Sequence, residues 1–202
     1  MSTVDSGNGP IVILLGPPGA GKGTQAKQLA TRLGVPAIST GAIFRQNMAD
    51  ETELGQRARE YMDKGEFVPD SVTNPMITAR LKAPDTANGC LLDGYPRTVD
   101  QARYLRSTLD SMGRKVALVI EIDADEDEVV SRLLKRAQQE NRSDDTEPVI
   151  RHRMKVYREQ TEPMATYYAE NDQLAVVDGM GTVEDVWERI DQTLVHAGLV
   201  QP

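Results

Sequence analysis

The segment Gly16-Pro17-Pro18-Gly19-Ala20-Gly21-Lys22-Gly23-Thr24 has the composition of a loop that holds phosphate. Gly16 and Gly21 are separated by four residues, Lys22 follows directly, and a hydroxyl residue, Thr24, comes next but one. Glycines let successive backbone N–H groups turn inward onto phosphate oxygens. A helix starting beside them adds partial positive charge. Lys22 is then placed to reach the β- and γ-phosphates of a nucleoside triphosphate, with Gly19, Ala20, Gly21, Gly23 and Thr24 around it. A purely structural turn would need the glycines, but not the lysine and threonine at these offsets. In the usual form of this loop Ser or Thr follows Lys at once; here Gly23 intervenes.

Transferring a phosphoryl group asks little covalent help of a protein. It asks for two substrates held in line and positive charge on the transferring oxygens. The candidates are arginines. Arg45 lies about one helical turn beyond Thr40-Gly41, and Arg97 closes the turn Gly94-Tyr95-Pro96-Arg97. Arg132 and Arg136 form an i, i+4 pair, which is unfavourable on a helix unless an anion sits between them. Arg142 and Arg153 flank Asp144-Asp145. Any one of these alone reads equally well as a solvated surface arginine. Asp93 ends an apolar run, and the amide of Gln101 can both donate to and accept from the edge of adenine.

Such groups must be carried by a frame. Ile11-Val12-Ile13-Leu14-Leu15 is continuously apolar, as a strand covered on both faces must be. Further strands are expected at 37–39, 90–93, 116–122 and 174–178. A helix is expected from Lys22 to Leu33, stopped by Gly34-Val35-Pro36. Short helices broken at Gly55, Gly65 and Pro69 occupy 42–82, and another runs from Val99 to Met112. Asp125 and Glu128 form a capping box for a helix reaching about Gln139. Glu140 to Asp145 reads as a loop. A long helix spans Glu147 to Ala169 with a kink at Pro163, and Thr182 with Asp185 caps the last helix, which ends near His196. Strands alternating with helices give an α/β fold with a parallel sheet and helices on both faces. Ligands of such sheets bind beyond the strand carboxyl ends, where Gly16, Thr40, Gly94 and Gly179 fall.

The 202 residues fit one such domain with small insertions. A net charge of −8 argues against nucleic acid as a partner. The single cysteine, Cys90, can form neither an internal disulfide nor a four-cysteine zinc site, and it reads as a small buried hydrophobe. No stretch approaches the roughly 20 apolar residues of a membrane span. Residues 1–10 are small and polar, unlike a secretory signal, and read as a disordered tail. A cytoplasmic location follows as the expectation.

Gly23-Thr24-Gln25-Ala26, Ile38-Ser39-Thr40-Gly41, Leu92-Asp93-Gly94-Tyr95-Pro96-Arg97, Gln101, Asp144-Asp145 and Val177-Asp178-Gly179 together resemble the nucleoside monophosphate kinases, specifically the adenylate kinases. The resemblance covers residues 11–197. It implies a P-loop kinase fold with a five-stranded parallel sheet. The core would comprise 11–38, 69–135 and 146–202, with a helical monophosphate-binding insertion at 39–68 and a lid at 136–145. The implied reaction is ATP + AMP giving two ADP, with Mg²⁺.

By the same resemblance, Arg45 and Arg97 hold the acceptor phosphate, with Gly94, Tyr95 and Pro96 forming the turn. Thr40, Gln101 and the backbone at Glu66, Phe67 and Val68 select the base. Arg132 and Arg136 face the triphosphate, whose adenine lies against Gly179 to Gly181. Arg142 and Arg153 close over the transferring group. Asp93 orders the waters of Mg²⁺, with no direct protein ligand to the metal. Lys22, Asp93, Arg97, Arg136, Arg142 and Arg153 form the implied catalytic set, while Arg151 and Arg158 are read as surface. Two departures stand out. Ala42 replaces the aspartate that usually follows Ser-Thr-Gly, which implies an altered Mg²⁺ dependence. The lid is short and lacks cysteine, which implies a short-lid, zinc-free, monomeric member. A uridylate/cytidylate kinase is the alternative within the fold. A guanine-nucleotide switch is a remoter one, lacking the Asn-Lys-x-Asp motif.

Overall fold

The computed structural model describes residues 9–140 and 146–202, and side chains throughout these except at 138–140. The residues 141–145 anticipated as a loop, including Arg142, Asp144 and Asp145, lie outside the described residues.

Five parallel strands form one sheet in the order β2-β3-β1-β4-β5. They are β1 (Ile11–Leu15), β2 (Ala37–Ser39), β3 (Cys90–Asp93), β4 (Val116–Asp123) and β5 (Leu174–Asp178). All five residues of β1 are buried, as its unbroken apolar run requires. Ile11, Ile13 and Leu15 face one layer, while Val12 and Leu14 face the other. The first layer is made by α4 (Asp70–Leu81), α5 (Val99–Ser111) and α8 (Pro163–Ala169), through Ile77, Leu105, Leu109 and Met164 among others. The second is made by α1 (Lys22–Leu33) and α9 (Val183–His196), through Leu29, Ile190 and Leu194. Cys90 is buried in the first layer, and burial pushes its thiol pKa up to about 11, so it is an inert part of the core.

Between β2 and α4 lie α2 (Thr40–Ala49) and α3 (Glu53–Met62), which share a small core of Phe44, Ala58 and Val68. Gly55 does not break a helix as anticipated; it sits inside α3. A Cβ there would lie 2.0 Å from the carbonyl oxygen of Asn47, so this glycine is what lets α3 press against α2. One helix break falls at 50–52 instead, while Gly65 and Pro69 lie in the break expected of them, at 63–69.

The helices α6 (Glu126–Glu140) and α7 (Glu147–Val156) pack on each other through Val129, Leu133, Ile150 and Met154. Asp125 caps α6 by accepting from the N–H groups of Asp127 and Glu128. The Glu128 carboxylate bonds Arg132. Thr182 and Asp185 form the full reciprocal box expected for α9. The helix expected over 147–169 is interrupted before Pro163: Tyr157–Thr161 form a π-helical segment, and Pro163 begins a new helix. No helix among the described residues is long and apolar enough to cross a membrane.

Candidate active site

The carboxyl ends of β1, β3 and β2 open into one cleft of about 1170 Å³. That exceeds the roughly 300–1,000 Å³ of a site for one small ligand. Its floor is the glycine-rich loop leaving β1. Gly16 has φ of 138°, and a Cβ on it would lie 2.4 Å from the Ile122 carbonyl oxygen of β4. Only glycine lets the chain turn there against its neighbour strand.

Lys22, the first residue of α1, folds back over this loop. Its Nζ donates to the carbonyl oxygens of Gly16 at 2.7 Å and Pro17 at 2.9 Å. Burial drops its pKa to about 8. Asp93 opposes that shift, whereas Arg97, Arg153 and Arg136 add to it. Three further cations and one carboxylate therefore sit within electrostatic reach of Lys22. Four elements carry Lys22 and these groups, α1, β3, α6 and α7, together with the turn after β3. Asp93 is held beside the loop because it pairs in register with Leu14 across the β1–β3 ladder.

The other half of the cleft is knitted around the turn after β3. The Thr40 hydroxyl and Arg97 Nε each donate to the Gly94 carbonyl oxygen at 2.8 Å. The Arg97 guanidinium lies 5.0 Å from the centre of the Phe67 ring, at cation–π distance. The Arg97 backbone N–H donates to Gln101 Oε1 at 2.8 Å, and Gln101 Nε2 donates to Asp70 at 2.6 Å. The Thr161 hydroxyl donates to the Arg97 carbonyl oxygen at 2.8 Å. Tyr95 and Pro96 are joined by a cis peptide bond.

Toward α6, Arg132 Nε bonds Glu128 at 2.9 Å and its Nη1 donates to the Gly179 carbonyl oxygen at 3.3 Å. The anion beside Arg132 is thus a carboxylate of its own helix. The i, i+4 arginine pair does not by itself require polyphosphate, as the spacing had implied. Arg151 and Arg158 are exposed and paired with Glu147 and Glu126, as anticipated for surface residues.

An adenylate kinase family model matches residues 14–173. The chain belongs to the adenylate kinase family. It is 54% identical to the adenylate kinase of Kocuria rhizophila over 179 residues, 89% of this chain and 95% of that protein. It is 55% identical to that of Nocardia farcinica over 179 residues, covering 88% and 95%. It is 50% identical to that of Clavibacter michiganensis over 188 residues, covering 93% and 94%. As a member of this family it is a phosphotransferase, a nucleoside monophosphate kinase, on the five-stranded P-loop frame described above.

Within this adenylate kinase frame the cleft brings together Gly19, Gly21, Lys22, Gly23 and Thr24 on one side. On the other it gathers Thr40, Arg45, Glu66, Phe67, Val68, Gly94, Pro96, Arg97 and Gln101, with Asp93, Arg132, Arg136 and Arg153 between and above. Three anticipated residues fall outside its lining. Ala20 is buried and its N–H donates to the Pro17 carbonyl oxygen within the loop. Tyr95 is a core residue whose hydroxyl donates to Asn74 Oδ1 at 2.7 Å. Gly181 lies against the Asp185 carboxylate at the start of α9.

Tyr157 and Thr161 line the cleft without having been singled out from the sequence. Both lie on the π-helical segment. Tyr157 stands beside Glu121 of β4, a carboxylate whose pKa is raised by burial and by Asp123. Burial and Glu121 raise the Tyr157 phenol well above its ordinary value. A π segment adds a residue per turn and so re-aims the side chains that follow. Nothing in the local sequence marks it.

Proposed function

We propose that this chain catalyses the reversible, Mg²⁺-dependent transfer of the terminal phosphoryl group of ATP to AMP, giving two ADP. The observation that carries the reading is the single two-sided cleft. A phosphate loop and an acceptor turn leave the adjacent strands β1 and β3, with Lys22 and Asp93 at the seam. The family supports the same reaction.

In this reading the Gly19 to Thr24 loop holds the ATP phosphates. Arg45 and Arg97 hold the phosphate of AMP, and Thr40, Gln101 and the backbone at Glu66 to Val68 face its base. Lys22, Arg97, Arg136 and Arg153 spread positive charge over the transferring oxygens, joined by Arg142 from the lid. No general base is needed, because the acceptor phosphate is already anionic. Water is a competing acceptor. Residues 39–68, as the AMP-binding insertion, and 136–145, as a short lid, close over the core segments 11–38, 69–135 and 146–202 to exclude it.

Among the described residues no group of three His, Cys, Asp or Glu side chains could cage a metal. The donors at the seam, the exposed Thr24 hydroxyl and the Asp93 carboxylate, fit an Mg²⁺ carried in on nucleotide phosphates with several waters retained. Bound there, the ion would neutralise phosphate charge. Structural zinc has no part in this reading. The protein acts as a cytoplasmic monomer on adenine nucleotides, balancing their pool, without nucleic acid or membrane partners.

The test is turnover with ATP against a panel of nucleoside monophosphates, with Lys22→Met as control. AMP is the fastest acceptor, and Lys22→Met abolishes turnover. Faster reaction with UMP or CMP would make the chain a uridylate/cytidylate kinase, and full activity in Lys22→Met would remove the phosphate-cradle assignment.

A further inference from the structure

Gln101 is held at both ends of its amide by groups that cannot exchange roles. The Arg97 backbone N–H donates to Oε1 at 2.8 Å, and Nε2 donates to Asp70 Oδ1 at 2.6 Å. A backbone N–H only donates, and a carboxylate only accepts. Turning the amide over would set Nε2 against the Arg97 N–H and Oε1 against the Asp70 carboxylate. Two bonds would become two repulsions. The residue is 2% exposed, so solvent compensates neither. The amide is locked in one order. Each end keeps one further valence, a lone pair on Oε1 and an N–H on Nε2.

We propose that Asp70 is a specificity-determining residue that acts through Gln101, selecting 6-amino over 6-oxo purine monophosphates as acceptor. The inference rests on the reading that Gln101 faces the acceptor base. Adenine presents an N1 acceptor beside a 6-amino donor. Hypoxanthine and guanine present the reverse, an N1–H donor beside a 6-oxo acceptor. A glutamine free to turn over would suit either edge, so its presence alone discriminates neither. Locked, its Nε2–H meets the adenine N1 and its Oε1 meets the amine, while a 6-oxo purine meets like against like at both atoms. Asp70 is the first residue of α4 and does not itself line the cleft. It is a positioning residue.

The test compares kcat/KM for AMP and for inosine 5′-monophosphate, which differs from AMP only at the N1 and C6 edge, with ATP as donor. In Asp70→Asn the amide at position 70 can donate or accept, so that end of Gln101 no longer resists turning. The AMP-to-IMP ratio falls on the order of tenfold, the usual weight of one hydrogen bond to a charged group. Asp70→Glu keeps an acceptor-only carboxylate and retains the ratio. A merely structural role for Asp70 would lower turnover of both substrates together and leave the ratio unchanged, which overturns the proposal. Gln101→Ala separates the lock at Asp70 from the contact with the base. If it collapses the ratio while Asp70→Asn does not, Asp70 is not the lock but Gln101 still reads the base. If Gln101→Ala leaves the ratio intact, Gln101 does not face the base, and both fall.

Discussion

Raising the pH should weaken ATP binding through one side chain, Lys22. Its pKa is brought down to about 8, chiefly by burial and then by Arg97, Arg153 and Arg136. Triphosphate delivers opposite charge to the same ammonium and restores its affinity for the proton. Protonated enzyme is therefore the binding form. Below pH 8 ATP affinity is flat with respect to this group; above it, each unit of pH costs about tenfold, or ~1.4 kcal/mol. Between pH 7.5 and 9.5 the loss is roughly 25-fold by the same linkage.

The sign for stability is opposite. The folded pKa lies below the ordinary value of 10.5, so the unfolded chain binds more protons between pH 8 and 10.5. Lys22 thus penalises the empty fold below pH 8. Raising the pH through that window relieves up to about 3 kcal/mol. Calorimetric titration with ATP in two buffers of different ionisation enthalpy counts the protons taken up, close to one per ATP at pH 9. Lys22→Arg, charged at every pH, should bind ATP without this slope or this uptake. If wild-type affinity stays flat from pH 7.5 to 9.5 and no proton is absorbed, then Lys22 does not meet the phosphates.

Gly55→Ala forces a methyl into the Asn47 carbonyl and pries α3 from α2. It should cost about 1–3 kcal/mol in denaturant unfolding and raise KM for AMP more than KM for ATP. Tyr157→Phe removes the hydroxyl that favours the ionised Glu121 carboxylate against burial and Asp123, and should raise the Glu121 pKa further. Any loss of stability should then shrink as Glu121 becomes protonated at lower pH; a pH-independent loss in urea melts would contradict that electrostatic link. Ala42→Asp restores a carboxylate on the first turn of α2 and should lower, severalfold, the Mg²⁺ concentration for half-maximal turnover. An unchanged titration would leave the ordering of metal-bound water to Asp93 alone.

The strands and the phosphate loop were legible because their signals are local. An unbroken apolar run is written in β1 itself, and Lys22 must follow Gly21 in any chain that builds this loop. Helix caps at Thr182 and Asp185 are equally local. What escaped depends on partners distant in sequence. Gln101 could be marked as a base reader, but its lock needs Asp70, 31 positions away. The arginine pair at 132 and 136 pointed to an external anion, because nothing in the spacing tells that Glu128 rather than ligand would sit beside Arg132. Gly55 carried the ordinary meaning of a helix breaker, whereas its use is a helix crossing. Tyr157 and Thr161 look like ordinary helical residues, and the π segment they bound has no local mark.

The ladder from Ile11↔Cys90 to Leu14↔Asp93 joins two strands buried at the middle of the sheet. Backbone amides in such a ladder exchange with solvent only when the whole domain opens, while α2 and α3, resting on their own small core, can open separately. The phosphate cradle and Asp93 therefore belong to the last unit to come apart. A molecule that has transiently lost its α2–α3 unit still carries an intact seat for triphosphate, and reversible partial opening costs it one substrate rather than both.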